Sequence, residues 1–156
     1  MRDCAMKRLL IEKRGHLPVE AESTHLFYEF IIPHAAKALE MQLSYDPAFC
    51  MKDYDELTEL YLKHYPTQPR IADWIHQTYT GFRRCNNCLV LSVDGPDGLV
   101  GTTHRFHEGE IIRISDQEST PGYRQCCIVP GKWRAVISVY SLITPVEYSL
   151  RVELEE

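Results

Sequence analysis

Alternation of apolar and polar side chains, at a period of two, runs through most of this chain. From Trp133 the odd positions are Trp133, Ala135, Ile137 and Val139, while Arg134, Val136, Ser138 and Tyr140 fall between them. Successive side chains of an extended chain point to opposite faces, so this pattern predicts a strand with one face on a core. Pro130-Gly131 ahead of it is turn chemistry, since proline presets φ and glycine accepts the positive φ that follows. Val146 to Leu154 alternates without error, with Val146, Tyr148, Leu150, Val152 and Leu154 on one side. His25 to Ile32 and Ala38 to Tyr45 do the same, and their separation suits a loop between neighbouring antiparallel strands. Residues 7–14, closed by Gly15-His16-Leu17-Pro18, Asn87 to Val93, Leu99 to Phe106 and Glu110 to Ser115 complete about eight strand candidates.

Between these runs the period changes. In Asp53 to His64, Tyr54, Leu57, Leu60 and Tyr61 share one helical face, and Asp53 with Glu56 forms a capping-box pattern. Ile71 to Tyr79 repeats the device with Ile71, Trp74, Ile75 and Thr78. Helices confined to about 50–83 do not fit a parallel βαβ sheet, which distributes its helices between strands. The expected architecture is therefore mainly β: a single domain over 1–156, an antiparallel β-sandwich of jelly-roll type with a short two-helix insertion whose apolar face covers an edge or end of the sheets.

Composition narrows the classes. A net charge of −5 leaves no basic track for nucleic acid, and Lys7-Arg8, Lys13-Arg14 and Arg83-Arg84 are only short basic pairs. No run approaches the 18 or so apolar residues of a membrane span. Leu9-Leu10-Ile11 is interrupted by Glu12-Lys13-Arg14 and is too short for a signal peptide, so a cytoplasmic location is expected and the six cysteines are expected as reduced thiols.

Candidate chemistry is sparse. Cys85 and Cys88, two residues apart, could share a zinc ion, with Cys126-Cys127 or His107 as further ligands; ordinary core packing is the competing reading. His104-Arg105-Phe106-His107 follows Gly101-Thr102-Thr103 and offers an imidazole and a guanidinium for an anion or a sugar hydroxyl, against a polar strand end. Tyr123 and Arg124, in the loop before the Trp133 strand, stand where ligand-contacting residues of β folds collect. No phosphate-binding glycine loop, nucleophile elbow, HxH or HExxH pattern occurs, so no cofactor is expected.

The order NCLVLSVDGPDG, GTTHRFH, IRIS, STPGY, VPGKWRAVISVY and YSLRVE resembles the non-catalytic N-terminal β-sandwich that precedes the catalytic domain in some PHP-type metal-dependent phosphoesterases. The matching residues are Asn87 to Leu91, Gly95 to Gly98, Gly101, His104 and Arg105, Thr120 to Tyr123, and Pro130 to Trp133. The match spans mainly 87–152 and, more loosely, 25–45; prepeptidase-type jelly rolls are similar less specifically. The resemblance implies a sandwich fold and an accessory role. The His-rich metal motifs of the catalytic domain do not occur in these residues, so phosphoesterase activity is not implied. The expected function is a module binding a small-molecule or sugar ligand, or a protein partner such as a separately encoded hydrolase, through His104, Arg105, Tyr123 and Arg124. The alternatives are a small zinc-binding hydrolase and a purely structural assembly unit. The sequence does not fix an oligomeric state.

Overall fold

The computed structural model describes residues 6–64, 66, 70, 73, 81–103 and 109–156. The described residues form ten strands and one α-helix: β1 (Lys7–Leu17), β2 (His25–Ile32), β3 (Ala38–Asp46), β4 (Phe49–Lys52), α1 (Tyr54–His64), β5 (Arg83–Asn86), β6 (Cys88–Gly95), β7 (Gly98–Thr102), β8 (Ile111–Ser115), β9 (Gly131–Ser141) and β10 (Val146–Glu155). All pairings are antiparallel. One four-stranded sheet has the order β1-β10-β3-β8, a second has β2-β9-β6-β7, and β4 with β5 makes a separate two-stranded ribbon.

The alternating runs bury the faces expected of them. Trp133, Ala135, Ile137 and Val139 of β9, and Val146, Tyr148, Leu150, Val152 and Leu154 of β10, are all buried. Each of these two strands lies inside its sheet, paired on both sides. The buried faces of the two larger sheets supply one hydrophobic cluster, with Leu39, Met41, Leu43 and Ile114 from the first and Phe30, Ile32, Leu91, Val93 and Val100 from the second. At roughly 1.5–3 kcal/mol for each large apolar side chain withdrawn from water, that cluster is the main favourable contribution to folding.

Three features differ from the sequence expectation. There are ten strands rather than eight, because β4 and β5 pair with each other at the two ends of the stretch read as a helical insertion. Their sequences, FCMK and RRCN, carry no apolar stripe, and the pairing joins residues far apart in the chain. β2 and β3 are not neighbours but belong to different sheets. Pro33 has no N–H to continue a ladder, and the link instead ties Ala36 to Ile128 by main-chain bonding. β1 continues through Gly15 to Leu17, paired with Tyr148, Glu147 and Val146 of β10, and Gly15 leaves room for the Tyr148 ring, where a Cβ would sit 2.6 Å from Tyr148 Cε1. The second predicted helix, Ile71 to Tyr79 with Trp74, lies outside the described residues except for Asp73.

The helix begins as its cap predicts. The Glu56 N–H donates to Asp53 Oδ1 and the Asp53 N–H to Glu56 Oε2, both at 3.0 Å, a reciprocal capping box. Leu57 is its buried residue, while Leu60 and Tyr61 share a depression with Tyr140, Ser141 and Ile143 at the end of β9.

Candidate functional site

Gly101-Thr102-Thr103, which precedes one candidate motif in the chain, meets the segment carrying Tyr123 and Arg124 at the outer edge of the second sheet. The β6–β7 hairpin carries β7 to its outer edge, and beyond β7 runs the irregular segment 120–124. The Thr102 N–H donates to the Gly122 carbonyl at 3.1 Å and the Arg124 N–H to the Val100 carbonyl at 3.0 Å. Gly101 opposes Tyr123 so closely that a Cβ at 101 would stand 2.4 Å from Gly122 O and 2.5 Å from Tyr123 Cα. Only glycine allows two main chains to approach this way. The glycine of the GTTHR motif and the Gly-Tyr of TPGY are thus two sides of one contact.

The same contact takes Tyr123 inward. Its side chain is buried, and its hydroxyl donates to the Leu91 carbonyl at 2.6 Å. Thr103 closes the junction: its N–H donates to the same carbonyl, and its Oγ1 accepts the Leu91 N–H. Burial, with a smaller contribution from the Glu110 charge, pushes the phenol pKa well above its ordinary value, so Tyr123 remains a neutral donor. Arg124 is exposed beside it. His104, Arg105 and His107 lie outside the described residues; the chain is followed to Thr103 and again from Gly109. Of the four expected ligand contacts, the structure therefore presents Arg124 at the surface and places Tyr123 in the core.

The remaining resemblance motifs also meet one another. Trp133 is buried, donates its indole N–H to the Val129 carbonyl at 3.0 Å, and lays its ring edge where a Cβ at Gly95 would be 3.2 Å away. Gly131, at φ 138°, sits against Pro96, with 3.0 Å between its would-be Cβ and Pro96 Cγ. The PGKW segment thereby packs on the GPDG turn. Asn87, first residue of the NCLVL motif, is fully buried and holds two other turns. Its Nδ2 donates to the Pro47 carbonyl (2.8 Å) and Thr144 Oγ1 (2.9 Å), and its Oδ1 accepts the N–H groups of Ile143 (2.7 Å) and Thr144 (3.2 Å). Sequence reasoning gave Asn87 no role; its only signal was a polar residue fixed at the entrance to an apolar strand.

Two open depressions carry charge. One, of about 650 Å³, surrounds the 95–98 turn and is lined by Glu29, Asp94, Lys132 and Arg134, paired as Lys132–Glu29 (2.7 Å) and Arg134–Asp94. The other, of about 640 Å³, contains Arg113, which reaches Glu40 (2.8 Å), Glu118 (3.0 Å) and Glu155. The hydrogen bond from Arg113, and then its positive charge, hold the Glu155 carboxyl below the usual range. An anion entering either depression would have to displace a carboxylate already in place.

Cys85 and Cys88 lie in different sheets. Cys85 lies in the β4–β5 ribbon opposite Cys50, whereas Cys88 opens β6 opposite Ser141. Burial raises the thiol pKa of both Cys85 and Cys88, with the Cys50 charge contributing at Cys85. Among the described residues no group of three or more His, Cys, Asp or Glu side chains is arranged to hold a metal ion. No described helix is long and apolar enough to cross a membrane.

No family model and no curated protein matches this chain.

Proposed function

We propose that this chain is a non-catalytic β-sandwich module of jelly-roll type that binds a ligand or protein partner beside a separately encoded hydrolase. The sandwich reading is supported by the two four-stranded antiparallel sheets whose buried faces feed one cluster. Kinship with the accessory domain of PHP-type phosphoesterases is supported by the way the shared motifs contact each other: Gly101 with Tyr123, and Gly95 and Pro96 with Trp133 and Gly131. Those contacts are architectural, so they argue for fold and leave function to the exposed residues around them. The observation that carries the binding reading is the Gly101–Tyr123 junction, which sets exposed Arg124 beside the strand that leads to His104 and Arg105.

The test is calorimetric titration of the purified chain with a PHP-type phosphoesterase catalytic domain and with a panel of neutral and acidic sugars. The double variant Arg105→Ala, Arg124→Ala is expected to weaken the bound partner about tenfold or more, the scale of one charge-assisted hydrogen bond. Binding unchanged in a variant that melts with the wild type, or no binding across both sets, overturns the proposal.

One observation favours assembly as a second reading. On the outer face of β2, Phe27 and Ile31 are exposed, and among the described residues β2 pairs along one side only, with β9. Open apolar edge strands recruit further strands. Light scattering over a range of concentrations decides it: a constant monomer mass removes this reading.

A further inference from the structure

The register of the small ribbon places two thiols face to face. β4 and β5 pair Phe49 with Asn86, Cys50 with Cys85, Met51 with Arg84 and Lys52 with Arg83. Residues directly opposite each other project to the same side of a two-stranded ribbon. The Asn87 N–H donates to the Ala48 carbonyl one step outside the ribbon. Hydrogen-bonded pairs alternate along an antiparallel ladder, so Cys50–Cys85 falls on a hydrogen-bonded position, where Cα atoms stand about 5.5 Å apart. Disulfides span Cα separations of about 4.4–6.8 Å, which includes this one, while opposed Cβ atoms at such a position stand about 5 Å apart and must close toward about 4 Å as the bond forms.

The other described cysteines lack such a partner. Cys88 faces Ser141 across β6 and β9, and Cys126 and Cys127 are chain neighbours, one half-buried and one exposed. Cys50 and Cys85 are both free and half-buried, open to a small reagent. Lys52 and Arg83 are the next pair on the same side of the ribbon; burial, which raises both thiols, is opposed by the Lys52 charge at both and by Arg83 at Cys85, while Glu56 raises both.

We propose that Cys50 and Cys85 form a reversible dithiol site that exchanges with a low-molecular-weight disulfide of the glutathione type. One cysteine, as thiolate, attacks a sulfur of glutathione disulfide; a protein–glutathione mixed disulfide forms and one glutathione thiolate leaves. The facing cysteine then attacks the protein sulfur of that mixed disulfide and expels the second glutathione. Two protein thiols are oxidised to one disulfide, one disulfide is reduced to two thiols, and the two protons pass to the departing thiolates. The bond ties together the two ends of the segment from Asp53 to Phe82, which includes α1, so a redox input fixes how that segment is anchored.

The experiment equilibrates the whole chain in glutathione buffers from reducing to oxidising, caps remaining thiols with N-ethylmaleimide, digests with trypsin without reductant and maps the products by mass spectrometry. Cleavage after lysine and arginine places Cys50 on residues 38–52 and Cys85 on residues 85–105, a peptide that also carries Cys88. The expected product is 38–52 joined to 85–105 under oxidising conditions and released by reductant. Cys88→Ser keeps it; Cys50→Ser and Cys85→Ser each abolish it and leave a glutathione adduct on the surviving partner. Circular dichroism matching the wild type shows that the variants are folded. Glutathione adducts on both cysteines without a link, or a link retained in Cys85→Ser and lost in Cys88→Ser, overturns the proposal.

Discussion

Replacing Asn87 tests whether the shared motifs build the fold or contact a ligand. Its side chain makes four hydrogen bonds at a fully buried position, to the Pro47 carbonyl, the Thr144 hydroxyl, and the N–H groups of Ile143 and Thr144. Alanine removes all four and strands two main-chain donors and a main-chain acceptor. At about 1 kcal/mol net for each bond, Asn87→Ala is expected to cost about 4 kcal/mol, more where no water can take the place of the amide. Urea unfolding followed by circular dichroism and by fluorescence, with Trp133 buried in the native state, reads this directly. Asn87→Asp sharpens the argument. The carboxylate can still accept from Ile143 and Thr144, but it cannot donate to Pro47, and a charge there is desolvated beside a carbonyl oxygen. Its folded pKa is therefore raised above the unfolded value of about 3.9. A raised carboxyl pKa means stability present below the unfolded value and lost as pH rises through the folded one. The deficit of Asn87→Asp against wild type should thus be larger at pH 7 than at pH 4. Asn87→Ala within about 1 kcal/mol of wild type, the worth of a single bond, or an Asn87→Asp deficit that ignores pH, would refute this reasoning.

Two further outcomes follow from the same contacts. Gly101→Ala forces a methyl against main-chain atoms at 2.4 and 2.5 Å, which cannot swing aside, and is expected to cost about 3 kcal/mol, the upper range for overpacking. Gly98→Ala, with nothing within 4 Å but φ at 108°, carries only backbone strain and should shift the calorimetric melting temperature less. Arg113→Met releases the hydrogen bond and charge that lower the Glu155 pKa. A lowered carboxyl pKa contributes stability above its unfolded value that is lost as pH falls, so the wild type should lose stability below about pH 4.3 more steeply than Arg113→Met. Parallel pH–stability curves would refute the coupling.

The strands that were legible share one property: a full apolar face within a single run. β9 and β10 could be read residue by residue because alternation is local to the chain and both of their inner faces are wholly buried. The capping box was legible for the same reason, since Asp53 and Glu56 are three residues apart. β4 and β5 were not, because FCMK and RRCN carry no stripe and only their mutual register makes them strands. The division of β2 and β3 between sheets was equally hidden, since both have a buried face whichever partner they take.

The candidate site shows the same limit from the other side. Tyr123 and Arg124 are adjacent in a loop of unremarkable composition, and the chain alone gives no direction to either. What sends Tyr123 inward is Gly101, 22 positions earlier, which admits the main chain of 122–123 close enough for the phenol to reach the Leu91 carbonyl. Arg124, one residue on, then points away from that contact and stays exposed. Motif matching weighs Gly101, Tyr123, Asn87 and Trp133 as equal marks of kinship, yet each is spent on holding one segment to another. A residue committed to a buried hydrogen bond cannot offer that same atom to a ligand without leaving its partner unsatisfied. Under the proposed binding function, recognition falls to positions such as Arg124 that make no buried contact, and variation there should change what is bound while leaving stability nearly untouched.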